Sequence, residues 1–313
     1  LPAGSCPVTD AGGPGELLRR ADVAVAAAKG AGRGGHVPYD GALDAAQTER
    51  RLLVQQLRRA LAEEQFEMRC APIVDLRDGR GVSCESLVRW RHPWRGTLAP
   101  EEFMSVAEED GLQGQLDLLV AEQVVDVAAR WARAGHPLTV GVNVSAQGLA
   151  GRFAEHLGRL CAEHGLDPRF LTVELLESIR PLPELEPEIE ALRRLGVRLA
   201  IDDFGTGYSS LASIHRLGAA AVKIDGTFVD DVEHDDGSRA IISASVSIAR
   251  TFGMSVVAEW VQRESQRRAL VALGVERGQG SLFGDPVTAA TFERRHLPPP
   301  TAPGQSGGPR SGK

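Results

Sequence analysis

Paired cysteines are missing from this chain. Cys6, Cys70, Cys84 and Cys161 are scattered and no C-x-x-C joins any of them. That excludes a site of zinc-binding cysteine pairs and fits a reducing cytoplasm. No H-E-x-x-H occurs either, so a His-based zinc centre has no support. No apolar run is long enough to cross a bilayer, and nothing resembles a secretory leader. Excess positive charge is also lacking: 35 Lys and Arg face 42 Asp and Glu, a formal net charge of −7. A surface that tracks polymeric nucleic acid needs uncompensated cations, so that class is disfavoured. A small anionic ligand stays open, because divalent metals can bridge carboxylates to phosphates.

What is present suits one large core with a small appendage: 313 residues, 42% hydrophobic and 25% charged. Leu1 in place of Met, with a Gly/Pro-rich opening, reads as a fragment or a truncated gene product. Residues 1–14 and the Pro/Gly/Ser tail at 297–313 are expected to be disordered. Between Glu16 and Lys29 an Ala-rich helical pattern precedes the break GAGRGG and the piece HVPYD, too short together for a domain. A second helix, from about Ala46 to Glu64, leads into the main body. The division expected is 1–45 for the opening, 46–296 for the main domain and 297–313 for the tail.

From Phe66 onward, β-rich runs alternate with amphipathic helical stretches. Strands are predicted at 66–76, 83–90, 138–145, 171–177, 198–204, 221–225, 255–260 and 275–279. Helices are predicted at 116–134, 154–164, 185–195, 209–217, 239–252 and 264–273, closed by Gly135, Gly165, Gly196, Gly218, Gly253 and Gly274. The stripe Val120, Val124, Val127 and Ala128 reads as core packing. Eight strands in this order predict an α/β fold, a TIM-like (β/α)8 barrel. Only DGRG separates the first two runs, which leaves room for a hairpin and not a helix, so one barrel strand is expected to be antiparallel.

Barrel chemistry gathers where parallel strands end. Here those ends carry Asn143, Glu174 with Glu177, Asp202 with Asp203, Lys223 with Asp225, Glu259 and Gln279. Glu85 lies inside the second run with Arg89 on the same face, about 13 Å away at ~3.3 Å per residue. Taken singly, each has an ordinary explanation: a solvated loop acid, a helix cap for Asp203, a turn former for Asn143, a surface lysine for Lys223. Taken together they crowd acids into one mouth, which is costly unless cations neutralise them. The oxygen set Glu85, Asn143, Glu174, Asp202 and Asp203 suits Mg²⁺ or Mn²⁺ better than zinc. Two such ions would support phosphodiester cleavage, leaving Lys223 and Glu259 to orient or deprotonate the water.

The run from Phe66 to Pro286 resembles the EAL domain, a family of cyclic di-GMP phosphodiesterases. The likeness rests on Glu85-Ser86-Leu87 followed by VRWRHP, Asn143 in VNVS, Glu174 in VELLES, the intact DDFGTGYSS, Lys223 in VKID, Glu259 in VVAEW and Gln279 in GQGSLFGDP. It implies that Glu85, Asn143, Glu174 and Asp202 bind metal, with Asp203 serving a second ion. It further implies that Arg89 holds substrate phosphate, that Lys223 and Glu259 handle the nucleophilic water, and that Gln279 completes the site. Glu177 is similar to the glutamate that steadies the DDFGTG loop, a loop also implicated in forming homodimers. The segment Glu16–Asp40 resembles the closing helix and strand of a GGDEF diguanylate cyclase domain. That domain's signature is absent here, so the stub reads as a remnant and no cyclase activity is expected.

Departures from the family pattern fall on the substrate side. Ala71 replaces a usual Gln, Ser86 the Ala of the naming tripeptide, Trp260-Val261-Gln262 a usual Gly-Val-Glu, Ser281 a Tyr and Asp285 a Lys. No metal ligand is lost. The leading expectation is hydrolysis of cyclic di-GMP to linear pGpG. Ala71, Trp260 and Gln262 keep a catalytically silent sensor or protein-interaction module as the alternative. A two-carboxylate glycosidase is a third reading, although that chemistry has no use for adjacent acids, an Asn and a Lys together.

Overall fold

The computed structural model describes residues 3–6, 13–30, 36–177, 184–207 and 211–297. The expected disordered tail lies outside the described residues, as does most of 1–12. Two compact units emerge, 1–63 with 101–110, and 64–100 with 111–313.

In the first unit, β1 (Ala3–Ser5) pairs in parallel with β2 (His36–Pro38), and α1 (Pro14–Gly30) and α2 (Gly41–Ala62) are the main helices. The segment that resembles the end of a GGDEF domain thus forms α1 and β2. Asp40 opens α2 by accepting from the Leu43 N–H at 2.9 Å. Arg19 forks between Glu16 on its own helix and Asp44 on α2, at 2.8 and 2.6 Å. A short α3 (Met104–Glu109) completes the unit, with Arg50 of α2 2.5 Å from Glu109.

The second unit is the barrel. Its strands are β3 (Phe66–Asp75), β4 (Gly81–His92), a short β5 (Gly96–Leu98), β6 (Thr139–Asn143), β7 (Leu171–Leu176), β8 (Arg198–Phe204), β9 (Ala221–Ile224), β10 (Ser255–Ala258) and β11 (Arg277–Gln279). Around the ring the order is β3, β11, β10, β9, β8, β7, β6, β4, and a β3–β4 pairing closes it while β5 hangs on β4. The eight expected strands are all present. The antiparallel member is β3, which runs against both β4 and β11, and the DGRG link is the β3–β4 hairpin.

Helices α4 (Gln113–Arg133), α6 (Phe153–His164), α7 (Glu186–Leu195), α8 (Leu211–Leu217), α10 (Asp236–Phe252) and α11 (Glu264–Leu273) surround the strands. Residues 209 and 210 of the expected 209–217 helix lie outside the described residues. Short helices α5 (Ala146–Ala150), α9 (Gly226–Asp230) and α12 (Ala289–His296) are additions that the helical periodicity was too short to signal. Gly165, Gly196, Gly253 and Gly274 close their helices in the left-handed conformation, as the sequence predicts. No helix among the described residues is long and apolar enough to cross a membrane.

The two-residue strand period sorts core from site. Ile201, Val222, Ile224, Val256 and Ala258 face outward and pack with Ile242, Val246 and Ala249 of α10 and Leu270 of α11. The intervening positions, Asp202, Lys223 and Glu259, therefore face the bore. Every apolar residue buried under the helices fixes the direction of a polar neighbour.

Candidate active site

Lys223 is the centre of the cluster. Its side chain is 2% exposed, and its Nζ lies 2.8 Å from Glu174 Oε2, 2.8 Å from Glu259 Oε1, 3.0 Å from Asp202 Oδ1 and 3.1 Å from Glu85 Oε2. Burial alone would strip its proton, but these acids outweigh that and hold the ammonium well above the ordinary lysine range.

The four carboxylates are not equivalent. Burial pushes Glu85 toward neutrality, yet Lys223, Asn143 and Gln279 together hold it below the usual carboxylate range. Asn143 Nδ2 donates to one Glu85 oxygen at 2.7 Å, and Gln279 Nε2 donates to the other at 2.8 Å. Glu174 has no such amides. Burial, then the charges of Glu85 and Asp202, push it well above the usual range against Lys223. Glu259 is pushed up to about 8, chiefly by burial. The crowd of acids thus keeps protons that a cation would displace.

Gly141 makes room for Glu174. A Cβ at that position would fall 1.9 Å from Glu174 Oε1, so only glycine on β6 lets the carboxylate lie in the bore. Sequence reasoning passed over this residue. A glycine inside the strand run VGVN was its signal, since such glycines mark close approach.

Consecutive strand residues normally point to opposite faces, so Asp202 and Asp203 should not share a site. The β8–β9 register shifts between Ile201 and Phe204, and Asp203 adopts φ +53°, which turns both carboxylates to the mouth. Aspartate tolerates this left-handed region better than most residues. Burial, then the charges of Asp202 and Asp225, raise Asp203 to about 6.

Glu177 lies where the DDFGTG turn needs an acceptor. Its Oε2 accepts from the backbone N–H groups of Gly205 and Gly207 at 2.8 and 3.2 Å, and its own N–H donates to Asp202 O at 2.9 Å. Arg89 is an expected site residue on the same strand as Glu85. It stands further along β4, half-buried, with Nη1 donating to Val88 O at 2.8 Å. Of the substrate-side departures, Ala71 is buried opposite Glu85 in the β3–β4 register, and the Trp260 side chain is turned out to solvent.

Asp117 of α4 is a second residue missed from the sequence. It is buried and accepts from Ser145 N at 2.9 Å and Ser145 Oγ at 2.5 Å, fixing the turn just after Asn143. Its place inside the apolar stripe of α4 was the available clue.

Two groups of acids can hold a cation: Glu85, Glu174 and Asp202, and Asp202, Asp203 and Glu259. Within each, the candidate oxygens lie within 4.8 Å of one another. Opposite corners of an octahedron at ~2.1 Å are about 4.2 Å apart, so the spacing suits hard divalent ions. Gln279 Oε1 is a buried acceptor without a hydrogen bond among the described residues, and the water of a bound cation would satisfy it. The donor set therefore fits divalent metal.

Known proteins are similar to this chain in sequence and in fold. The family model described as the EAL domain matches residues 54–286. The bifunctional diguanylate cyclase/cyclic di-GMP phosphodiesterase MucR of Pseudomonas aeruginosa is 36% identical over 282 residues, 88% of this chain and 41% of its own length. The cyclic di-GMP phosphodiesterase PdeR of Escherichia coli is 35% identical over 281 residues, 89% of this chain and 42% of its own. This chain spans a third to a half of the first curated relatives it matches. A solved structure of the MucR phosphodiesterase with c-di-GMP superposes with a TM-score of 0.71 at 34% identity, covering 77% of this chain and 99% of that one. With the matching model spanning most of the barrel and the acids in place, the chain belongs to the EAL domain family.

Proposed function

We propose that the chain hydrolyses cyclic di-GMP to linear pGpG in a reaction dependent on two divalent ions, Mg²⁺ or Mn²⁺. The observation that carries this is the pair of acid groups sharing Asp202, with Lys223 and Glu259 beside them. The substrate is inferred from the relatives named as cyclic di-GMP phosphodiesterases and from the c-di-GMP complex.

Glu85, Glu174 and Asp202 would hold one ion, aided by Asn143, and Asp203 with Asp202 the other, with Glu259 beside it. When bound, the ions supply water activation at neutral pH and neutralise charge on the phosphate. Glu259, with Lys223 Nζ 2.8 Å from its Oε1, would accept the proton of the attacking water. Lys223 stays charged and fixes the Glu259 carboxylate. Water oxygen bonds to phosphorus, the bond from phosphorus to the 3′ oxygen breaks, and that oxygen leaves as a hydroxyl by taking a proton from solvent, while Glu259 returns its own proton to solvent. Arg89 would hold the non-scissile phosphate, Gln279 keeps Glu85 in place, and Glu177 holds the DDFGTG loop for a homodimer contact.

Chromatography of purified protein with cyclic di-GMP tests this. Linear product should form with Mg²⁺ or Mn²⁺, vanish with chelator and vanish in Glu85→Ala. Turnover unaffected by chelation would overturn it.

A further inference from the structure

Trp260 is placed as no packing demand explains. It follows Glu259 at the end of β10, adopts φ +53° and leaves its side chain 59% exposed. A bulky residue at positive φ carries a steric penalty that glycine would avoid. Most of the indole stays in water.

One face of the ring is nevertheless held firmly. A Cβ on Gly226 would fall 2.3 Å from the indole Cγ and Cδ2, so the ring lies flat on backbone that only glycine can offer. Gly226 follows Asp225, whose carboxylate is close enough to Asp203 to raise it. The ring therefore rests beside the group formed by Asp202, Asp203 and Glu259.

The chain on either side is tied down. Glu259 N–H donates to Ile224 O at 3.1 Å and Val261 N–H donates to Gln279 O at 2.9 Å. Gln266 Oε1 accepts from the N–H groups of Gln262 and Arg263 at 2.8 and 2.9 Å. An exposed indole on a fixed backbone, one face covered and the other open, is a preorganised flat surface.

Resting on the phosphodiesterase reading, we propose that Trp260 is a stacking platform for a purine base of the cyclic dinucleotide. Every nucleobase has a π face, and loss of one aromatic partner weakens binding by roughly 5- to 150-fold. The platform acts on substrate affinity and specificity, away from proton transfer. A plain phosphodiester without a purine would gain nothing from it.

Trp260→Phe, Trp260→Ala and Trp260→Gly in the full chain test this, with KM and kcat measured for cyclic di-GMP and cyclic di-UMP. Trp260→Ala and Trp260→Gly should raise KM for cyclic di-GMP at least fivefold with kcat within about threefold, and lower the preference over cyclic di-UMP. Trp260→Phe should restore most of the affinity.

Tryptophan fluorescence separates this inference from the reading beneath it. With chelator present, cyclic di-GMP should quench the parent's emission, and Trp260→Phe should lose that quench. A parent that quenches but does not hydrolyse would retire the phosphodiesterase reading and keep the platform. A KM unchanged within twofold in Trp260→Ala, or no quench, overturns the platform. So does lowered melting with a fall in kcat alone.

Discussion

Replacing Lys223 by methionine removes one charge and little volume, and it isolates what the ammonium does. In the parent, four carboxylate oxygens lie 2.8–3.1 Å from Nζ in a bore that leaves the side chain 2% exposed. Breaking a buried pair by deleting one partner costs about 3–5 kcal/mol. For a domain of this size each kcal/mol moves Tm by ~2–4 °C, so the metal-free variant should melt on the order of 10 °C lower. The acids then have only protons to relieve them, so the loss should grow as pH rises above neutrality. Divalent ions bind the folded state and should recover stability, by a larger shift in the variant than in the parent. Thermal melts with chelator and with millimolar Mg²⁺ or Mn²⁺ read both effects, and kcat should fall by about 100-fold or more. A chelated loss below about 1 kcal/mol, or equal metal shifts in both proteins, would refute a cluster in which lysine and metal share one electrostatic task.

Metal binding should release protons, because Asp203 at about 6 and the raised Glu174 must ionise to ligate, and Glu259 at about 8 should ionise beside the bound ions. Raised carboxyls keep their protons as pH falls, so affinity should drop about tenfold per pH unit per proton displaced; calorimetric heats near pH 7 that do not depend on the buffer would contradict this. Gly141→Ala should displace the Glu174 carboxylate, cutting turnover about 100-fold and abolishing the metal-induced rise in Tm, because the added Cβ falls 1.9 Å from Oε1. Asp117 is raised from 3.8 to about 6 by burial, against Ser145, so folding favours its protonated form: that stability is complete below about pH 4 and lost as pH rises through 6. Asp117→Asn keeps an acceptor for Ser145 and should melt higher than the parent at pH 7.5, by up to about 3 kcal/mol, with the gap closing near pH 4.

The barrel was legible because its signals are local. Alternating runs such as AVKI show the two-residue period, DGRG cannot hold a helix, and glycines close the main helices. Most acids of the cluster were legible for the same reason, since Lys223 and Glu259 alternate with residues that pack under α10 and α11. What stayed hidden depends on two chains meeting. The space above Gly141 exists only because β7 brings Glu174 beside it, and Asp117 finds Ser145 only after α4 packs on the barrel. The joint use of Asp202 and Asp203 needs a register shift that alternation alone argues against.

Among the described residues, Asp203 and Trp260 are two of four non-glycines with positive φ, and each directly follows a buried acid that faces the bore. In both places the ladder fixes the acid, Asp202 or Glu259, and the next residue turns the chain off the strand. At β8 the turn delivers a second carboxylate to the first; at β10 it presents an indole. The same backbone device thus adds charge at β8 and aromatic surface at β10, two strands away around the ring. A left-handed residue of this kind costs roughly 1–2 kcal/mol. Asp203 recovers part of that through its contacts with Asp202 and Thr206. Trp260 recovers its share by packing on Gly226, and with 59% of the residue exposed the rest of the indole stays open to what binds at the mouth.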